Sequence, residues 1–251
     1  MDRTTGTTSG LPAAGPADMD LALPPAVVFD CDGTIADTES LSDRAWSETL
    51  DAHGYTATSD DFRAVIGRPY AHNWDYFSAR VDLGDPALFR TRLRERFVEL
   101  FEAELEVYDD AVHTLRVLAG AGVRIGVASS SSHKHVLRVL DQGDLRDLVD
   151  VVVGADDVER HKPDPEPYVT AARELGVGPD RCSAVEDTAV GVASATGAGM
   201  FTVGVVRRYT VPADLAGADR VVKVVTPDAL VPGPEGATGQ DLGMPGSDGP
   251  V

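Results

Sequence analysis

At 251 residues, 43% of them hydrophobic, the chain is long enough for one substantial core with a smaller unit attached. A formal net charge of −19 argues against nucleic acid or an acidic membrane surface as a partner. No run of about 18 or more apolar residues is present, so no membrane-spanning helix is expected. The opening Met1-Asp2-Arg3-Thr4 also lacks the basic-then-apolar pattern of a secretory signal.

Residues 1–24, rich in Gly, Pro, Thr and Ala without periodicity, read as a disordered leader. Ala26-Val27-Val28-Phe29 then has the continuous apolar character of a strand buried on both faces of a parallel sheet. It runs into Asp30-Cys31-Asp32-Gly33-Thr34. Alternation along an extended backbone turns Asp30 and Asp32 to one side and Cys31 to the other. Two ionised acids so close repel unless a cation or a shared proton offsets them. A strand followed by an ordinary Asp-Gly turn is the bland alternative, but the full Asp-x-Asp-Gly-Thr pattern is rare by chance. Cys31 and Cys182 both fall in predicted strands, which suggests buried, reduced thiols and a cytoplasmic protein.

Residues 40–107 carry no strand pattern. Apolar residues recur at helical spacing through Leu41, Trp46 and Leu50, through Phe62, Val65 and Ile66, and from Leu88 to Leu105. An all-α insertion of three or four helices is expected, with Asp37 or Ser40 capping the first. Within it, Arg90, Arg92, Arg94 and Arg96 read as a solvated helix face, and His72, Asn73 and Trp74 as packing residues. From Asp109 onward helices over 111–121, 133–140, 166–175 and 188–196 alternate with strands over 124–128, 149–153, 183–185, 200–205 and 220–225. This alternation predicts an α/β fold, a doubly wound parallel sheet of Rossmann-like type. The expected organisation is a core of 25–39 and 108–231, a helical insertion over 40–107, and a Gly- and Pro-rich disordered tail over 232–251.

Open α/β sheets bind ligands beyond the carboxyl ends of their strands, where the strand order reverses. Ser129-Ser130-Ser131-Ser132 follows the strand at 124–128 and leads into a helix, either as an anion site or as an ordinary cap. Lys162 is one of three lysines in the chain and precedes Pro163, which biases it away from helical geometry. It is either a surface charge or an anion-binding cation; His161 beside it reads as a solvated loop residue. Glu186-Asp187-Thr188 opens a helix after the strand at 183–185. Acids there offset a helix dipole. Together with Asp30 they also offer the hard oxygens that Mg²⁺ takes alongside water and phosphate.

Taken together, Asp30-Cys31-Asp32-Gly33-Thr34, Ser129, Lys162 and Glu186-Asp187 resemble the four motifs of the haloacid dehalogenase-like superfamily of phosphohydrolases. The resemblance covers about residues 25–225, and the helical insertion directly after the first strand looks like the C1 type of cap. That points to the small-metabolite phosphatases and β-phosphoglucomutases. The resemblance implies that Asp30 is the nucleophile forming an aspartyl-phosphate and Asp32 the general acid/base. It implies that Ser129, Ser130 and Lys162 hold the phosphoryl group. It also implies that Asp30, the backbone carbonyl of Asp32, and Asp187 bind Mg²⁺, with Glu186 supporting the acidic loop. Arg68, in the insertion, and Ser131 are expected to contact the rest of the substrate.

The implied function is Mg²⁺-dependent hydrolysis of a small phosphorylated metabolite. An acid at Asp32 departs from the dehalogenases, and the lack of any lysine in 40–107 departs from the phosphonoacetaldehyde hydrolases. Ser42 and Ser132-His133 stand where β-phosphoglucomutases typically carry histidine and Lys-Asn. Both departures favour a phosphatase over a sugar-phosphate mutase. A catalytically silent binding protein on the same scaffold is the third reading.

Overall fold

The computed structural model describes residues 22–65 and 70–233. Arg68, nearly all of the expected leader and most of the expected tail lie outside the described residues. Six strands, β1 (Ala26–Phe29), β2 (Arg124–Ala128), β3 (Val151–Val153), β4 (Cys182–Glu186), β5 (Phe201–Val205) and β6 (Arg220–Val222), form one sheet. All pairings are parallel, in the order β3-β2-β1-β4-β5-β6. The chain builds outward from β1 through β2 to β3, then returns to lay β4 on the other side of β1. The strand order therefore reverses at the carboxyl end of β1, which is where such sheets open a crevice.

Every residue of β1 is buried, as its apolar run requires, because helices cover both faces. Val27 and Phe29 point to one face with Ile125, Val127 and Val185, in a core shared with the α-helical insertion. Ala26 and Val28 point to the other, against Tyr168, Ala171, Ala172 and Leu175 of a helix that follows β3. The period-2 alternation of one short strand thus feeds two separate cores.

Among the described residues five helices lie between β1 and β2 in the chain; the first four, α1 (Thr38–Asp51), α2 (Ser59–Val65), α3 (Tyr70–Ser78) and α4 (Pro86–Glu104), span the expected insertion. Asp37, not Ser40, is the N-cap of α1, its carboxylate accepting from the Ser40 N–H at 3.1 Å. Trp46 of α1 holds the insertion together, stacking on Phe77 at 5.3 Å and lying 5.7 Å from Phe89. The remaining helices are α5 (Asp109–Gly120), α6 (His133–Gln142), α7 (Glu166–Leu175) and α8 (Ala189–Gly197).

The expected strands at 149–153 and 220–225 are shorter than the pattern suggests. A 3₁₀ turn at Arg146–Leu148 delays β3 to Val151, and β6 ends at Val222. Cys31 lies beyond β1 rather than inside a strand, yet it packs in the core; Cys182 opens β4, and both thiols are free. Arg90, Arg92 and Arg94 are exposed as expected, whereas Arg96 is half-buried and pairs with Glu48 and Glu99. Among the described residues no helix is long and apolar enough to cross a membrane.

Phe29 sits fully buried at the end of the central strand, opposite Val127 and Val185. Phe29→Ala should lower unfolding stability by about 3–5 kcal/mol, the cost of an aromatic-sized cavity in a packed core. Denaturant unfolding measures it; a loss under about 1 kcal/mol would contradict the packing described.

Candidate active site

Asp30 lies immediately beyond β1, its N–H bonded to the Val185 carbonyl at 2.9 Å, so the backbone is still tied to β4 where the carboxylate emerges. Lys162 reaches it from the loop after β3. Its Nζ lies 2.6 Å from Asp30 Oδ1 and 2.6 Å from Glu186 Oε1, and its side chain is only 4% exposed. It is therefore no surface charge. Glu186 is saturated. Oε1 also accepts from the Tyr168 hydroxyl at 2.8 Å. Oε2 accepts from the Asp187 N–H at 3.1 Å and from the N–H and hydroxyl of Thr188 at 3.3 and 3.1 Å. The carboxylate thus pins the loop that starts α8. Gly191 of that helix lies so close that a Cβ there would meet the Glu186 carboxylate at 1.8 Å.

Asp187 has one oxygen engaged, Oδ1, which accepts from the Thr34 hydroxyl at 3.1 Å. Its Oδ2 faces Gly33, where a Cβ would come within 2.3 Å. Gly33 also has φ +84°, a backbone conformation that glycine adopts without strain. The Asp-Gly-Thr turn is braced from outside by Arg207. Its guanidinium binds Asp110 at 3.0 and 3.1 Å and the Thr34 carbonyl at 3.2 Å, and it stacks 4.0 Å from the Tyr108 ring.

Asp30, Glu186 and Asp187 bring ligand oxygens within 4.8 Å of one another, with the single ammonium of Lys162 among them. Burial pushes the Asp30 carboxyl up to about 8; Lys162 opposes the shift, while Glu186 and Asp32 add to it. Burial, with Asp30 and Glu186 close by, raises Asp187 well above the usual carboxylate range. Lys162 goes the other way: burial alone would lower it, but Asp30 and Glu186 hold it above its ordinary value. Since Glu186 is spent on five donors, the free oxygens belong to Asp30 and Asp187. Two hard carboxylate oxygens in a cluster short of positive charge fit a divalent cation.

Asp32 has different surroundings. Its Oδ1 accepts from the Thr38 hydroxyl at 2.8 Å and from His135 Nε2 at 3.0 Å. Its Oδ2 accepts from the hydroxyls of Ser131 at 2.7 Å and Ser129 at 3.2 Å. Burial would raise its carboxyl, but the hydrogen bonds from His135, Ser131 and Thr38 outweigh that and hold it at about 2. The Ser129 hydroxyl also accepts from the Ser131 N–H at 2.9 Å, which fixes the turn into α6. Ser130 is exposed, and its hydroxyl makes no hydrogen bond among the described residues.

Of the residues expected at the site, Asp30, Lys162, Glu186 and Asp187 form one cluster, and Asp32, Ser129 and Ser131 form a second beside it. The sequence pattern does not single out Thr38, Tyr168 or His135. Thr38 opens α1 and is readable only as a helix start. Tyr168 and His135 sit inside helical patterns that carry no chemical signal. Next to the second cluster a cavity of about 270 Å³ lies between α1 and α4, lined by Ser42, Trp46, Tyr70, Arg90, Arg94 and Phe97. Ser42 is one helical turn from Thr38, and Phe97 lies 6.3 Å from the His135 ring, so the cavity adjoins the Asp32 side of the site.

The sequence model of the haloacid dehalogenase-like hydrolases matches residues 24–199. The chain belongs to the haloacid dehalogenase-like hydrolase family. Among its relatives, the YhcW protein of Bacillus subtilis is 36% identical over 74% of this chain and 84% of its own length. The fructose-1-phosphate phosphatase YqaB of Escherichia coli is 32% identical over 71% of this chain and 95% of its own. The crystal structure of a mutant CbbY from Rhodobacter sphaeroides, in complex with xylulose-(1,5)-bisphosphate, superposes with a TM-score of 0.68. It is 30% identical and covers 80% of this chain and 95% of its own.

The titration of these haloacid dehalogenase-like acids sets a pH dependence. Asp30 rises from 3.8 to about 8, and Glu39, through burial and then Asp43, from 4.5 to about 7. In that window the folded chain holds protons that the unfolded chain has released, so stability falls as pH rises. In a chelating buffer the melting temperature should drop between pH 5 and pH 8. Millimolar Mg²⁺ should raise it, and most at pH 8, where a cation replaces those protons. A melting temperature independent of both pH and Mg²⁺ would contradict the charge balance described.

Proposed function

We propose that the chain is a Mg²⁺-dependent phosphomonoesterase for small phosphorylated sugars and related metabolites, working through an aspartyl-phosphate on Asp30. The observation that carries this reading is Lys162, buried between Asp30 and Glu186 at the end of β1, with the hydroxyl-held Asp32 two residues on from Asp30. Attack by a carboxylate on a phosphoryl group brings two anions together, and Lys162 offsets that repulsion at the attacking atom. Mg²⁺ held by Asp30, the Asp32 carbonyl and Asp187 would neutralise charge on the transferring oxygens. Glu186 holds Lys162 and the Asp187 loop in place. The Ser129 hydroxyl, turned from Asp32, and the Ser130 N–H would take phosphoryl oxygens at the start of α6.

Asp30 attacks as the carboxylate, which Lys162 and a bound cation would hold ionised. It bonds to phosphorus as the bond to the leaving oxygen breaks, and Asp32, protonated from solvent once the substrate draws the serine hydroxyls away, gives that oxygen a proton. Asp32 then takes a proton from the water that attacks the aspartyl-phosphate, and Asp30 is regenerated. The helical insertion is proposed to act as a cap that excludes bulk water. Its cavity, whose lining includes Trp46, Tyr70, Ser42, Arg90 and Arg94, offers hydroxyl and guanidinium groups to a hydroxylated, anionic leaving group. Two free, buried cysteines accord with a cytoplasmic setting.

Asp30→Asn should reduce turnover of p-nitrophenyl phosphate by more than about 10³-fold, as expected for loss of a nucleophile. Turnover that survives the substitution would refute the reading, and a wild-type chain without turnover would favour the silent binding protein. Glucose 1-phosphate should yield free phosphate; conversion to glucose 6-phosphate would make the chain a mutase. Arg94→Gln should raise KM for hexose phosphates about five- to tenfold, by loss of one charge-assisted hydrogen bond, while leaving the aryl phosphate nearly unchanged. Equal effects on both esters would remove Arg94 from the leaving-group pocket.

A further inference from the structure

His135 lies outside the four motifs, yet it makes one of the four hydrogen bonds to Asp32. An ionised carboxylate can only accept, so His135 Nε2 carries the hydrogen in this contact. The four donors divide evenly: Ser129 and Ser131 on Oδ2, Thr38 and His135 on Oδ1. The two serines stand at the mouth of α6, where a phosphoryl oxygen and a leaving group would claim their hydroxyls. Neither Thr38 nor His135 has to move for that to happen.

The imidazole is well fixed. His135 occupies the first turn of α6, its N–H bonded to the Ser132 cap hydroxyl at 3.3 Å. The ring lies 5.5 Å from the Phe101 ring and 6.3 Å from that of Phe97, both on α4. Thr38 opens α1, so Oδ1 is gripped from the starts of two separate helices, α1 and α6. One donor on one oxygen leaves a carboxylate free to swing; two donors from separate elements set its plane.

We propose that His135 is a positioning residue for Asp32: with Thr38 it clamps Oδ1 so that Oδ2 is presented to the leaving-group oxygen. The inference rests on the phosphatase reading above. As a bound phosphoryl group claims the two serine hydroxyls, Oδ2 loses both of its donors and takes a proton from solvent. In the first half-reaction that proton passes to the leaving oxygen as its bond to phosphorus breaks and the Asp30–phosphorus bond forms. In the second, Oδ2 takes a proton from water as the water oxygen bonds to phosphorus and the Asp30–phosphorus bond breaks. Oδ1 remains an acceptor for His135 and Thr38 throughout.

The test uses kcat/KM, which reports the first half-reaction, on two probes: p-nitrophenyl phosphate and phenyl phosphate. The nitrophenolate leaves readily without a proton, whereas the more basic phenolate oxygen depends on a well-placed acid. His135→Leu should lower kcat/KM about tenfold or more on phenyl phosphate but less than about threefold on p-nitrophenyl phosphate. His135→Gln, whose amide N–H reaches as far as Nε2, should recover both to within about threefold. His135→Asn, too short to reach, should not. Equal losses on both esters, or none, would overturn the inference. Should the leucine variant not fold, the contrast between Gln and Asn decides alone, and its absence overturns the inference. A wild type inactive on both esters would overturn the phosphatase reading and this inference with it; an active wild type indifferent to position 135 overturns the inference only.

Discussion

One buried ammonium allows the end of this sheet to hold three acids. Lys162 bridges Asp30 and Glu186 at 2.6 Å each, in a place where water cannot screen the charges. Burying ions is costly, and a buried pair repays that cost only when the geometry is close and the remaining lone pairs are filled. Here they are filled on the Glu186 side, by Tyr168, Thr188 and the Asp187 N–H. On the Asp30 side they are not, so Asp30 keeps the capacity to react. The fold serves this arrangement directly: β1 between β2 and β4 sets Asp30 at the strand-order reversal, and β3 sends Lys162 back across it.

The second consequence is asymmetry. Asp30 and Asp32 are separated by a single residue, yet one carboxyl is raised to about 8 and the other held at about 2. Burial acts upward on both. Hydroxyl and imidazole donors reverse its effect at Asp32, whereas two neighbouring carboxylates reinforce it at Asp30. Two carboxyls in such different surroundings can divide the labour once substrate and cation bind: a cation beside Asp187 would return Asp30 to its ionised, attacking form, and loss of the serine donors to the phosphoryl group would let Asp32 carry a proton. The turn that follows them depends on Gly33, whose lack of a Cβ lets Asp187 approach, and on Arg207, whose guanidinium binds the Thr34 carbonyl.

Much of this is legible in the sequence alone. The apolar run of β1, the alternation of helices and strands after Asp109, and the helical texture of 40–107 all reflect burial periodicities that a linear sequence displays. The chemical residues at strand ends were legible for the same reason: each follows an apolar run directly. The strand shortening at β3 was not, because a 3₁₀ turn and a strand start share one apolar pattern around Leu148 and Val149. His135 was hidden more deeply. Its contact with Asp32 depends on the direction of the first turn of α6 and on a wall of Phe97 and Phe101 contributed by a helix some forty residues earlier in the chain. Tyr168 was hidden similarly, since nothing in the α7 pattern separates an inward tyrosine that donates to Glu186 from a core aromatic.

The central claim is that Asp30, relieved of repulsion by Lys162, bonds covalently to phosphorus. Acid quenching of the chain during turnover of a phosphomonoester, followed by peptide mapping by mass spectrometry, measures this directly. The account predicts a phosphoryl group on the peptide that contains Asp30, convertible by borohydride to the alcohol that marks an acyl phosphate. Turnover with no acyl phosphate trapped, or with the phosphoryl group on another residue, would contradict it.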